Sequence, residues 1–277
     1  MKKLLIFAIV AVGLLACKDQ NGPSNPVAKN GALPGMFSVS TTKQIQFSQG
    51  NLQYQAITHT WRFAEKQYDM IGTGNSYISP SYSGWIDLFG WGTGNNPTNS
   101  SKSDYSAFVD WGVNAISNGG NEANQWRTLT KDELVYLFYN RTNAASLFGL
   151  GSVNNVNGTI ILPDSWSTPQ GVSFTPSTAK GLADQGNFYS NSSSDYYSYN
   201  TYTVEQWSVM EQNGAVFLPA AGLRRGKDMQ NVGSYGYYWS ATPYDEGYAY
   251  YLIFNSNSLI PQINGTNYDG QSVRLVR

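Results

Sequence analysis

One histidine and one cysteine occur in 277 residues, and only 13% of the residues are charged. A lone imidazole, His59, cannot build a histidine-rich metal site. It is also the sole candidate base for a Ser-His-Asp triad, and no Gly-x-Ser-x-Gly elbow accompanies it. The lone thiol has no second cysteine with which to form an intrachain disulfide. Basic residues (17) do not outnumber acidic ones (18), so the basic face that nucleic-acid binding needs is not expected. The longest apolar run, from Leu4 to Ala16, is about 13 residues, short of the roughly 20 that span a bilayer as a helix. What the chain has instead is Gly, Ser, Asn and Thr, with aromatics at 14%. Tyr and Trp can bury a flat face and still offer a hydrogen bond, which suits binding surfaces and β-rich cores alike.

Lys2 and Lys3 precede the apolar run, and Leu14-Leu15-Ala16-Cys17 ends it. This arrangement resembles a bacterial lipoprotein signal peptide covering residues 1–16. The resemblance implies cleavage before Cys17 and diacylglycerol on its sulfur, so acyl chains rather than a helix would hold the protein to a membrane. Removing residues 1–16 leaves 15 basic residues against 18 acidic ones, a net charge of −3. Lys18-Asp19 behind the cysteine resembles the surface-export signal of Bacteroides-like lipoproteins, which implies an outer-membrane, surface-exposed location. Residues 17–35 contain prolines and glycines without periodicity and read as a lipidated flexible tether.

Residues 36–277 read as one domain. Phe37-Ser38-Val39-Ser40, Ile45-Gln46-Phe47-Ser48, Leu52-Gln53-Tyr54-Gln55 and Trp61-Arg62-Phe63-Ala64 alternate apolar with polar, the period of half-buried strands. The Gly-Trp-rich stretch 84–92 suits an irregular core plug or a pocket wall. Capping boxes Thr130–Glu133 and Thr203–Gln206 predict two helices, the second closed by Asn213-Gly214. Ile160-Ile161-Leu162-Pro163 reads as a buried strand and 187–202 as a long surface loop. Further strands are expected at 215–218, 237–240, 248–254 and 272–276. Many short antiparallel strands with two main helices make an α+β domain.

The ordered segments Phe217-Leu218-Pro219-Ala220-Ala221-Gly222-x-Arg224, Gly236-Tyr237-Tyr238-Trp239-Ser240-Ala241-Thr242, Ala249-Tyr250-x-Leu252-x-Phe254 and Gly270-Gln271-Ser272-Val273-Arg274-Leu275-Val276 carry a resemblance. They are similar to the C-type-lectin-like fold of formylglycine-generating (sulfatase-modifying) enzymes, and closer still to large paralogous lipoprotein families of Bacteroides and Fibrobacter. The resemblance implies a C-type-lectin-like domain with a β-rich N-terminal extension, and makes Trp239 and Arg274 framework residues. The active-site cysteines of the enzymes are missing, as is the histidine cluster of iron-dependent relatives. The Glu-Pro-Asn or Gln-Pro-Asp signature of calcium-dependent lectins is missing too. No catalytic residue, metal or cofactor is therefore expected. A carboxylate-dependent hydrolase survives only as an alternative, through Asp87, Asp110, Glu122 and Asp245.

Between the framework segments lie Tyr235, Tyr244, Asp245, Glu246, Tyr248, Asn255, Asn257, Asn264, Asn267, Tyr268 and Asp269. Tyr and Asn supply rigid contact area and adaptable hydrogen bonds. The expected function is a non-catalytic surface lipoprotein that binds a glycan or protein ligand through this face. The alternatives are a structural subunit of a surface assembly, or a binder resembling the retroelement-diversified variable proteins.

Overall fold

A computed structural model describes residues 30–105, 107–177 and 195–277. The signal segment 1–16, Cys17, most of the expected tether and positions 187–194 of the expected surface loop lie outside the described residues.

Strands before residue 236 are mostly short because turn residues interrupt the apolar runs every few positions, whereas the last three strands run for 10, 8 and 9 residues. In chain order they are β1 (Phe37–Ser38), β2 (Gln44–Ile45), β3 (Leu52–Gln55), β4 (Thr60–Phe63) and β5 (Trp85–Ile86). Helix α1 (Lys131–Val135) follows, running on into a π-helical turn over Tyr136–Asn140. Then come β6 (Phe148–Val153), β7 (Val156–Ile161), β8 (Thr201–Tyr202) and α2 (Val204–Gln212). The C-terminal third carries β9 (Val216–Pro219), β10 (Leu223–Arg225), β11 (Asp228–Gln230), β12 (Gly236–Asp245), β13 (Tyr248–Asn255) and β14 (Ser258–Thr266).

These strands form five small sheets: β1-β2, β4-β3-β5, β8-β6-β7-β9, β10-β11 and β12-β13-β14. Their ladders are antiparallel except that β8 joins β6 in parallel. The architecture is α+β. No described helix is long and apolar enough to cross a membrane.

Residues 271–276 cross between the sheets as an extended segment rather than a regular strand. Gln271 bridges Phe89, Ser272 bridges Tyr238, and Val276 bridges both Phe47 and Arg127. The Leu52 and Ser48 amides donate to the carbonyls of Val273 and Leu275, each at 2.9 Å. One segment thus ties the N-terminal strands to the C-terminal sheet.

Both expected capping boxes form. Thr130 Oγ1 accepts from the Glu133 amide while a Glu133 oxygen accepts from the Thr130 amide. Thr203 and Gln206 do the same for α2. Helix α2 then lays Trp207 and Met210 against Phe217, Ile160 and Leu162. Thr203→Ala should lower stability by about 1 kcal/mol in chemical denaturation, since it orphans an N-terminal amide.

Two expectations change. The fold begins before Met36: Ala32 and Leu33 are buried, and the Leu33 amide donates to the Phe47 carbonyl at 2.9 Å. Gly35 packs on Gly214, where a Cβ on Gly214 (φ +90°) would stand 2.7 Å from the Gly35 Cα. Residues 31–35 therefore belong to the domain rather than to the tether. The second change concerns 195–202, which are not a surface loop, because Tyr197, Asn200 and Tyr202 are buried. Asn200 Nδ2 donates to the carbonyls of Leu150 and Thr175, filling the backbone needs of two neighbouring segments.

Candidate functional site

A concave feature that gathers polar and aromatic groups lies where the β10-β11 hairpin meets the end of the β12-β13-β14 sheet. Gly222, at φ +74°, opens this region, since a Cβ there would stand 2.3 Å from the Gln230 carbonyl. Arg224 then fixes β10 from beneath. It is fully buried; its Nη1 donates to the Gly226 carbonyl and its Nη2 to the carbonyls of Leu88 and Asn99. Its backbone exchanges two hydrogen bonds with Gly270, at 2.8 and 2.7 Å. Burial lowers the guanidinium to about 10, so it stays charged at neutral pH.

Alternation along β10 sends the next side chain outward. Arg225 is exposed, and its Nε donates to Asp269 Oδ2 at 3.4 Å, while Asp269 itself is nearly buried. Between the hairpin and the sheet lies a groove of about 370 Å³, within the roughly 300–1,000 Å³ typical of small-ligand sites. Tyr237, Tyr248 and Tyr251 provide its aromatic lining; Leu223 and Gly265 add apolar surface. Its polar lining comes from Gln230, Asn231, Asn264, Thr266 and Gln271 beside the Arg225–Asp269 pair. Tyr237 is held on two sides. Asn231 Nδ2 donates to its hydroxyl at 2.8 Å, and Tyr235 stacks on its ring at 6.0 Å. Tyr251 packs edge-on against Trp239 at 5.7 Å. Burial raises both Tyr237 and Tyr251 above the ordinary phenol value, keeping them neutral.

Gln271 is 1% exposed, and no protein donor reaches its Oε1.

Of the expected face, Tyr248, Asn264 and Asp269 line the groove, and Tyr235 supports it through Tyr237. Tyr244, Asp245 and Glu246 stand exposed at the tip of the β12-β13 hairpin, where Asp245 Oδ1 accepts from the Glu246 amide. Asn255 and Asn257 lie at the β13-β14 turn, at the other end of β13 from Tyr248. Asn255 Oδ1 builds that turn by accepting from the Asn257 and Ser258 amides and the Ser258 hydroxyl. Asn267 is buried, its carbonyl accepting from the Trp91 amide, and Tyr268 is half-buried. The expected face is therefore divided between groove, hairpin tip and turn. Sequence reasoning missed Arg225, Asn231, Tyr237, Tyr251 and Gln271. The tyrosines sit in framework strands whose alternation looks like that of any core strand.

The Gly-Trp stretch plugs the core: Ile86 to Trp91 are all buried. Asp87 accepts from the Ile71 amide and from Asn75 Nδ2, and Asp110 from the amides of Gly112 and Thr128. Glu122 and Asp245 are exposed. Asp87 and Asp110 are thus each held by a backbone amide of a segment 16 and 18 residues away, respectively. His59, exposed in the β3-β4 turn, meets the Tyr54 hydroxyl at 2.9 Å. Among the described residues no three His, Cys, Asp or Glu side chains group as a metal site.

A family model described as Domain of unknown function (DUF8237) matches residues 185–276, which contain every groove-lining residue. No curated protein and no solved structure matches the chain.

Proposed function

We propose that this chain is a non-catalytic, lipid-anchored surface protein with a C-type-lectin-like domain, and that it binds a glycan in the groove beside β10 and β13. The observation that carries this reading is the convergence of three tyrosines with amide, carboxylate and guanidinium groups in one concavity. Sugar rings offer an apolar C–H face to aromatic rings and hydroxyls to planar polar groups, so this lining complements them. A protein ligand, the other half of the expectation, would need a contact of roughly 800 Å² per partner, which a groove of this size does not by itself supply.

The lipid anchor at Cys17 and outer-membrane display rest on the signal-like N-terminus. Radiolabelled fatty acid should enter the wild-type chain and not Cys17→Ser.

Binding is tested with the full chain in a sugar-free detergent, screened on an array of glycans. Tyr248 is 44% exposed, so Tyr248→Ala should leave the fold intact. It should weaken binding about tenfold, the loss expected for an aromatic contact worth 1–2 kcal/mol. Retention of no glycan by the wild-type chain would refute the proposal.

A further inference from the structure

We infer that the tip of the β12-β13 hairpin is a second binding surface, and that it docks a lysine- or arginine-bearing segment of a partner protein on Tyr244, Asp245 and Glu246. Residues 243–246 are all exposed, and Tyr244 leaves 52% of its surface to solvent. The tip is nevertheless held in shape. Asp245 pairs with Tyr248 in the ladder, Gly247 makes the turn at φ +77°, and its carbonyl accepts from the Asn267 amide at 2.9 Å. Tyr244 is braced edge-on against Tyr250 at 5.2 Å. A braced, exposed tyrosine offers contact area with little conformational entropy left to lose on binding.

Charge names the occupant. Asp245 and Glu246 put two carboxylates beside that ring, and among the described residues no ion pair reaches either of them. The adjoining surface shows what this combination holds. Lys131 Nζ stands 5.4 Å from the centre of the Tyr250 ring and 2.6 Å from Asp132 Oδ1. One ammonium of the chain thus already sits between a ring of this hairpin and a carboxylate. Tyr244 and its two acids repeat the arrangement, and among the described residues no cation stands over that ring. A partner's lysine or arginine completes it through cation–π and charge-assisted contacts. None of the three tip residues lines the groove, so the tip acts whether or not the groove is filled.

The experiment titrates the full chain, in non-ionic detergent, into fluorescently labelled hexalysine and hexa-arginine and follows anisotropy. Physiological ionic strength screens exposed charges more than about 8 Å apart, so general attraction to an acidic protein is suppressed. At least one of the two peptides should bind saturably, and hexaglutamate should not. Asp245→Asn with Glu246→Gln should weaken binding about tenfold. Glu65→Gln with Asp104→Asn removes the same charge from exposed positions elsewhere and should change it less than about twofold. Tyr244→Ser should cost about fivefold and Tyr244→Phe less than about twofold, because the ring rather than the hydroxyl holds the cation. Circular dichroism establishes that each variant is folded. Binding of neither peptide, or an equal loss from the two neutralised pairs, would overturn the inference. So would a loss confined to Asp269→Asn, which would place the cation in the groove. A dimer dispersed by the tip substitutions in analytical ultracentrifugation would make the occupant a second copy of the chain and overturn it as well.

Discussion

Arg274→Leu should destabilise the domain by about 3–5 kcal/mol in urea unfolding, the range expected when one partner leaves a buried charged network. The guanidinium is buried, and burial lowers it to about 10, still charged at neutral pH. Its Nη2 donates to Gln67 Oε1 at 2.7 Å, and Gln67 Nε2 donates onward to Glu211 Oε1 at 2.9 Å and to the Ala215 carbonyl. Gln67 Oε1 also accepts from the Phe217 amide. Asn51, reached by Arg274 Nη1 at 3.4 Å, donates to the Tyr238 hydroxyl, which donates to the Pro219 carbonyl. Burial raises the Glu211 carboxyl; the Gln67 hydrogen bond and the charge of Arg274 pull it back. Leucine at 274 removes that compensating charge and leaves Glu211 to be buried alone or protonated. A second substitution, Glu211→Gln, should cost less in the Arg274→Leu background than in wild type. A loss below 1 kcal/mol for Arg274→Leu, or strict additivity in the cycle, would show that the network is not coupled in this way.

Asp87 should give the second large effect, and its signature is a pH dependence. Its carboxyl is fully buried, and burial raises it from 3.8 to about 6, against the pull of the Ile71 amide, Asn75 and its own backbone amide. The folded chain therefore holds this proton at pH values where the unfolded chain has released it. Asp87's contribution to stability is fully present below about pH 4 and is lost as the pH rises through about 6. A rise of this size corresponds to about 3 kcal/mol. Glu133 and Asp164, whose carboxyls are lowered, act in the opposite direction, so the comparison must be with Asp87→Asn rather than with wild type alone. Wild-type stability relative to Asp87→Asn should fall by about 3 kcal/mol between pH 4 and pH 7. A difference that stays constant with pH would contradict this assignment.

Signals carried by residues three or four apart are legible in the sequence, and juxtapositions made by distant segments are not. Thr130–Glu133 and Thr203–Gln206 are boxes whose partners lie three residues apart, so sequence spacing alone reveals them. The resemblance implies that Trp239 and Arg274 are framework residues; both are buried, and Trp239 Nε1 donates to the Phe89 carbonyl at 2.7 Å. The groove joins residues 223 and 271 through folding, and no pattern along the chain announces that meeting. Asparagine was the most misleading signal. Of the eight described non-glycine residues with positive φ, seven are Asn: Asn30, Asn121, Asn124, Asn143, Asn154, Asn155 and Asn231. Asn tolerates the left-handed conformation better than other side chains do, so much of its abundance serves turns rather than recognition. Asn255 shows the same economy inside the expected face, where it forms a turn and contributes nothing to the groove.

The crossing of residues 271–276 also sets a timetable for the growing chain. Leu52 finds its partner carbonyl on Val273, 221 positions later. At roughly 5–20 residues per second of synthesis, the first strands wait about 10–45 s before that partner exists. Contacts of such long sequence separation also form slowly once the whole chain is available. During that interval the bridge from Phe47 to Val276 is missing, and with it part of the cover over the buried Phe37 and Phe47 rings. A chain that closes so late leaves apolar surface uncovered for longer during its synthesis than a domain that folds from its N-terminus onward, and that surface is where aggregation starts.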